Sequence, residues 1–131
     1  MLTENVLKDT IYTLLRAKGL HSDITGRIYK DTRPANSQLV DVEISVLSSA
    51  NGQLQDFVVN VNVFVPDVKR CDEMIEDGPT LRTLESKFAT ALESIVEDGY
   101  KVSLASQHVF KVNDRDIHVI NNRLEIAFCN N

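Results

Sequence analysis

Histidine and cysteine are the first side chains to consider for chemistry, because they bind metals and act as bases or nucleophiles near neutral pH. The sequence contains His21, His108, His118, Cys71 and Cys129. No two histidines are spaced to share one helix face, and neither a Cys-x-x-Cys nor a His-Glu-x-x-His run occurs. His108 and His118 could meet across neighbouring strands as a metal-binding pair, or they could be ordinary surface histidines. The histidine spacing therefore predicts no metal site.

Cys71 is the one candidate nucleophile near other charged groups. A catalytic thiol needs a lowered pKa, an orienting base and an oxyanion hole. Its neighbours, Lys69-Arg70 and Asp72-Glu73, carry both signs of charge and contain no glycine-rich turn. We interpret Cys71 and Cys129 as free thiols of a reducing compartment, with a disulfide between them as the alternative. An enzyme would require Cys71, His108 and His118 to converge in one pocket.

Carboxylates cluster at Asp67, Glu73, Glu76 and Asp77, where oxygen ligands could hold a cation. The alternating pattern and central glycine of an EF-hand loop are absent, so the sequence favours a solvated acidic loop. Glycine-rich phosphate-binding motifs and the Gly-x-Ser-x-Gly motif are also absent from the sequence. We therefore predict a protein with no catalytic residues, no cofactor and no bound metal, which acts through its surfaces.

Composition narrows the class of protein further. The chain has 131 residues, a net charge of −5 and a pI of about 5.1, with 43% hydrophobic and 25% charged residues. The hydrophobic fraction is that of a folded globular chain, and an acidic chain without a basic cluster is poorly suited to nucleic acid. No segment is apolar enough to span a bilayer, and residues 1–5 do not resemble a signal peptide. We expect no membrane, no nucleic-acid sequence recognition and a cytoplasmic location during synthesis.

A long β-hairpin from Gln38 to Pro66 is the central element of the predicted fold and would position any site. Apolar and polar residues alternate along both of its halves, and Asn51-Gly52 supplies the turn. Of the second half, Val59, Val61 and Val63 are predicted to face the core. This alternation predicts two paired strands with one buried face.

Two amphipathic helices are predicted on either side of this hairpin. The first begins after the N-cap Thr3 and ends before Gly19. The second opens at Gly78, keeps its apolar spacing to Val96 and is closed by Gly99. Two strands follow, and Asn121-Asn122 interrupts the last of them as a bulge or a second turn. We predict one α+β domain over residues 1–131, in the order αβββαββ, with a mainly antiparallel sheet and a long central β-hairpin packed by two helices.

One segment carries a family resemblance. Gly26-Arg27-Ile28-Tyr29-Lys30-Asp31, with Arg33-Pro34 following and a long hairpin after it, resembles the tail-completion proteins of long-tailed bacteriophages and prophages. This group includes tail terminators and head–tail joining proteins. The resemblance implies a virion structural protein of the tail, which forms a homo-oligomer, commonly a hexameric ring, at the head-proximal end. Its partners would be other tail or head-connector proteins, and it would have no catalysis and no cofactor.

Two segments are expected to make the subunit contacts, namely the hairpin tip and the acidic loop that follows the hairpin. The candidate residues are Ser49, Asn51, Gly52, Gln53 and Gln55 of the tip and Asp67 and Glu73 of the loop. The alternative is a dimeric α+β protein-interaction module without catalysis, whose sheet face makes the contact. A ring uses a head-to-tail interface, whereas a dimer uses the same patch on both copies.

Overall fold

The computed structural model describes residues 3–47, 56–97 and 99–128. Of these residues, 46% lie in strands and 28% in helices. The helices are α1 (Glu4–Ala17), a short 3-10 helix (Leu20–Asp23) and α2 (Gly78–Leu92). The strands are β1 (Ile28–Tyr29), β2 (Asp41–Leu47), β3 (Asp56–Pro66), β4 (Val68–Arg70), β5 (Glu73–Ile75), β6 (Ser94–Glu97), β7 (Tyr100–Lys111) and β8 (Ile117–Phe128).

The predicted fold class, an α+β domain in the order αβββαββ, is wrong, because the described chain is mostly β. The segment after β3 was predicted to be irregular, yet it forms the strands β4 and β5. The second helix was predicted to reach Val96, but it ends at Leu92 and a strand follows at once. Ile95 and Val96 fit a helical stripe as well as a strand, and their β-branched side chains favour the strand.

Six strands form one curled sheet of mixed direction, in the order β1-β2-β3-β8-β7-β6. β1 runs parallel to β2, and the other neighbours are antiparallel. The predicted central hairpin is confirmed, since β2 pairs with β3 from Asp41↔Phe64 to Leu47↔Val58. The predicted turn at Asn51-Gly52 lies outside the described residues. β4 and β5 form a separate two-stranded sheet.

Both helices cover one face of this sheet, which we call the inner face. The valines of β3 at positions 59, 61, 63 and 65 are buried there, as the alternation predicted. Leu7, Ile11 and Phe88 of the helices belong to the same core. On the opposite, outer face, Asn121 donates hydrogen bonds to Asn62 at 2.7 Å and Asn60 at 3.2 Å.

Helix ends follow local sequence signals. The Val6 backbone N–H donates to Oγ1 of Thr3 at 3.1 Å, which confirms the predicted N-cap. Gly19 adopts a φ of +76° just beyond α1, a conformation that glycine reaches without steric cost. At the start of α2, the Thr80 backbone N–H donates to Oδ1 of Asp77 at 3.3 Å.

The last strand is continuous, so Asn121-Asn122 is neither a bulge nor a turn. Asn122 is buried on the inner face, donates to the Val61 carbonyl at 3.1 Å and accepts from Nε2 of Gln107 at 2.8 Å. Gln107 also donates to the Glu85 carbonyl at 2.9 Å, which ties α2 to the sheet. The register shift lies in β7 instead, where Ala105 is the extra residue between two paired neighbours.

Candidate subunit interface

The hairpin β4–β5, which we call the arm, stands apart from the six-stranded sheet. Arg70 pairs with Glu73, so Cys71 and Asp72 form a two-residue turn. Their φ angles are +50° and +67°, as a type I′ turn requires. Left-handed φ costs a non-glycine residue roughly 1–2 kcal/mol, so contacts elsewhere must stabilise this turn.

The surface of the arm is apolar at two positions that face solvent. Val68 is 42% exposed and Met74 is 43% exposed. Each strand of the arm has three residues, and an isolated two-stranded hairpin is marginally stable in water. Val68 lies opposite Ile75 and Met74 opposite Lys69, so the two apolar side chains are on opposite faces of the arm. Burial of either one against another surface would stabilise the arm.

The base of the arm is held by polar side chains. The Asp67 side chain is 1% exposed, and its Oδ1 lies 2.7 Å from Nδ1 of His118. On the other side of the imidazole, Nε2 lies 3.8 Å from Oε2 of Glu76. The Asp67 backbone N–H also donates to the Asp116 carbonyl at 2.9 Å. Both ends of the arm thus meet the beginning of β8.

A second polar network fixes the loop between β1 and β2. The buried Arg33 directs Nε to Oδ2 of Asp41 at 3.2 Å, and the Ser37 hydroxyl donates to the same oxygen at 2.6 Å. The Arg33 backbone N–H donates to Oε2 of Glu43 at 3.0 Å. The guanidinium also lies 4.6 Å from the ring centre of Phe64, within cation–π range. These contacts hold the loop on the outer face.

The same network explains the glycine of the Gly-Arg-Ile-Tyr segment. The Arg27 backbone N–H donates to Oδ1 of Asp41 at 3.1 Å, so this carboxylate lies against the backbone before β1. A side chain at Gly26 would overlap the Asp41 carboxylate and come within 2.8 Å of the Val40 carbonyl. Gly26, Arg33 and Asp41 therefore hold the loop and the start of β1 against β2. The sequence alone did not predict these contacts.

The predicted contact residues fall in two groups. Asp67 and Glu73 lie on the arm, with Asp67 buried at its base and Glu73 exposed beside its turn. The tip residues Ser49, Asn51, Gly52, Gln53 and Gln55 lie outside the described residues, and their role stays a prediction. Asp67 makes its contact within the chain, so of this pair only Glu73 is placed to meet a neighbour.

Sequence reasoning missed the partners that hold the arm. The sequence connects His118 only with His108 and Cys71, and it places Glu76 only in an acidic loop. The pairing of Pro66 with Ile117 brings Asp67 to the beginning of β8. No local pattern indicates that pairing, because it joins segments 51 positions apart. The exposed apolar residues Val68 and Met74 were also missed, since nothing in the charged segment indicates strands.

The residues considered for catalysis do not converge. His108 pairs with Asn121 of the outer face, whereas His118 pairs with Val65 of the inner face. Cys71 is exposed with a free thiol at the turn of the arm, and Cys129 lies outside the described residues. Among residues 3–47, 56–97 and 99–128, no three His, Cys, Asp or Glu side chains are grouped to hold a metal.

No helix in this part of the chain is long and apolar enough to cross a membrane.

Comparison with known proteins adds no family to this picture. A scan of the sequence against protein-family models finds no match, and a search of curated proteins finds none either.

Proposed function

We propose that the protein is a non-catalytic structural subunit of a bacteriophage or prophage tail, of the tail-completion or tail-terminator type. It acts as a homo-oligomeric ring at the head-proximal end of the tail and contacts tail or head-connector proteins there. The single observation that supports a contact-making role is the arm, an exposed hairpin with apolar side chains outside the main sheet. The resemblance of residues 26–34 to tail-completion proteins supplies the biological setting.

The arm suits a contact between subunits better than a purely internal role. Its base is anchored through Asp67 and His118, so its direction relative to the sheet is set. Its exposed Val68 and Met74 each gain on the order of 1 kcal/mol or more when fully covered, at about 25 cal/mol per Å². A projection with a set direction and an exposed apolar side chain on each face can contact a neighbouring subunit.

The first test is the mass of the protein in solution, measured by light scattering after size exclusion over a range of concentrations. We expect a closed ring near six times 14.7 kDa, visible as an annulus in negative-stain electron microscopy. A Met74→Glu variant should lose this assembly, because a charge replaces an apolar contact. The matched control is Phe110→Glu on the outer face of β7, where the residue is 44% exposed.

The second test addresses the role in the tail. Deletion of the gene from the phage or prophage that encodes it should leave heads unjoined to tails, and tails of irregular length, in electron micrographs. Normal virions from the deletion strain would overturn the tail-completion role. A wild-type protein that stays a dimer at every concentration would favour an interaction module with a symmetric interface instead.

A further inference from the structure

We infer that the two terminal strands of the sheet are the two halves of one head-to-tail contact, in which β6 of one copy docks in the groove beside β1 of the next. This inference rests on the proposed homo-oligomer and names the surfaces that would form it. β1 and β6 are the opposite ends of the sheet, so one outward edge of each pairs with no strand in the described part of the chain. Such edges present free backbone donors and acceptors that a second chain can satisfy.

The groove beside β1 is positively charged. It has a volume of about 460 Å³ and lies between β1, α1 and the 3-10 helix; its lining residues are Tyr12, Arg16, His21, Gly26, Arg27, Ile28 and Tyr29. No carboxylate lines it, although the chain has 19 acidic residues and 14 Lys and Arg. Within residues 3–47, 56–97 and 99–128, no carboxylate lies within 4.0 Å of the Arg16 or Arg27 guanidinium. The groove therefore suits a negatively charged partner.

The arginine of α1 that lines the groove is Arg16. Next to His21, the guanidinium of Arg16 lies 5.8 Å from the ring centre of Tyr12, a geometry that leaves its N–H groups for an incoming carboxylate.

The β6 edge has the complementary character. Val96 is 76% exposed, the largest exposed fraction among the large hydrophobic side chains of the described residues. Glu97 follows it and Glu93 comes just before β6, both exposed, and the run from 93 to 97 contains no basic residue. Val96 can cover the partly buried Ile28 on one side of the joined edges while the two carboxylates meet Arg16 and Arg27. Because these edges differ, the contact repeats in one direction and generates a ring rather than a symmetric dimer.

A charge exchange between the two edges tests this contact. Arg27→Glu alone and Glu97→Arg alone should each raise the concentration of half-assembly by about tenfold or more, since each places like charges together. An equimolar mixture of the two variants should assemble within about threefold of the wild type, because each variant then meets an opposite charge on its neighbour. Light scattering gives the mass, and circular dichroism confirms that each variant is folded. The control is Glu125→Arg, an exposed charge change on the outer face that should leave assembly unchanged.

Each outcome separates the contact from the proposed function. If the wild type assembles and the single variants assemble equally well, the β6–β1 contact is wrong while the ring survives. If the single variants fail and their mixture also fails, these charges do not face each other and the contact is again wrong. If the wild type never assembles, the proposed function is wrong and the contact is lost with it. Restored assembly in the mixture alone supports both.

Discussion

Nδ1 of His118 lies 2.7 Å from Oδ1 of Asp67, and this contact joins the beginning of β8 to the residue between β3 and β4. The Asp67 carboxylate is buried, so the imidazole supplies a polar contact that water would otherwise provide. The arm therefore owes its position to a side-chain pair in the body of the protein, and not to its own short strands.

We expect His118→Ala to destabilise the protein by about 2–3 kcal/mol, because it leaves a buried carboxylate without its side-chain partner. Urea unfolding followed by circular dichroism gives the change in the free energy of unfolding. The arm should also become more accessible, measured as faster hydrogen exchange at residues 68–75. The control is Glu76→Gln, which removes a 3.8 Å contact to a carboxylate that is largely exposed and should change stability by less than about 1 kcal/mol. Equal stability of His118→Ala and the wild type would contradict the anchoring role.

Gly26→Ala should cost about 2 kcal/mol or more, because the new methyl group overlaps the Asp41 carboxylate and displaces it from Arg33. The loop between β1 and β2 would then lose its hold on the outer face. Thermal unfolding measures the loss, and limited proteolysis shows whether cleavage moves to residues 31–40.

The matched control for this glycine is Gly78→Ala. There the nearest atom to a new methyl group is the flexible end of Arg82 at 3.2 Å, and the position lies in the first turn of α2. We expect a change between zero and about 1 kcal/mol in favour of the folded state, because alanine has less freedom in the unfolded chain. Two glycine variants with equal stability would show that the Asp41 carboxylate can move at no cost.

Burial, and secondly the carboxylate of Glu97, raise the pKa of the Tyr100 phenol above its ordinary value of 10.0. The folded state then keeps the phenol neutral where the unfolded chain already ionises. Its contribution to stability is complete below the unfolded pKa and is lost as pH rises through the folded pKa. We expect Tyr100→Phe to lose less stability than the wild type between about pH 8 and about pH 11.

Melting temperatures across that pH range provide the comparison for Tyr100. Subtracting the tyrosinate absorbance of the variant from that of the wild type isolates the titration of this phenol. Parallel stability profiles for both proteins would mean that Tyr100 ionises alike in the folded and unfolded chains.

Long regular patterns were predictable from the sequence. The alternation through β2 and β3 extends over many residues, so its period of two decides both the strands and the buried face that includes Val61. The Thr3 cap and Gly19 mark α1 because capping depends on residues close in sequence.

Short or charged elements were not predictable. The arm has three residues per strand, and its turn uses Cys71 and Asp72 where glycine or asparagine would have given a signal. At the end of α2, Ile95 belongs to the core whether the chain continues as helix or turns into β6. Half of the candidate site was predictable from the sequence, because Asp67 and Glu73 belong to a recognisable acidic segment. His118, the partner of Asp67, was not predictable, because the contact depends on a pairing between distant strands.

Among the described residues β8 is the last strand in chain order, yet it lies in the middle of the sheet, between β3 and β7. During synthesis the helices and the first half of the sheet can form early, but β3 has an unsatisfied side until residues 117–128 leave the ribosome. The nascent protein therefore holds a long, valine-rich strand open to wrong partners while the residues between Pro66 and Ile117 are made. Any truncation before Ile117 would make that state permanent and lead to aggregation.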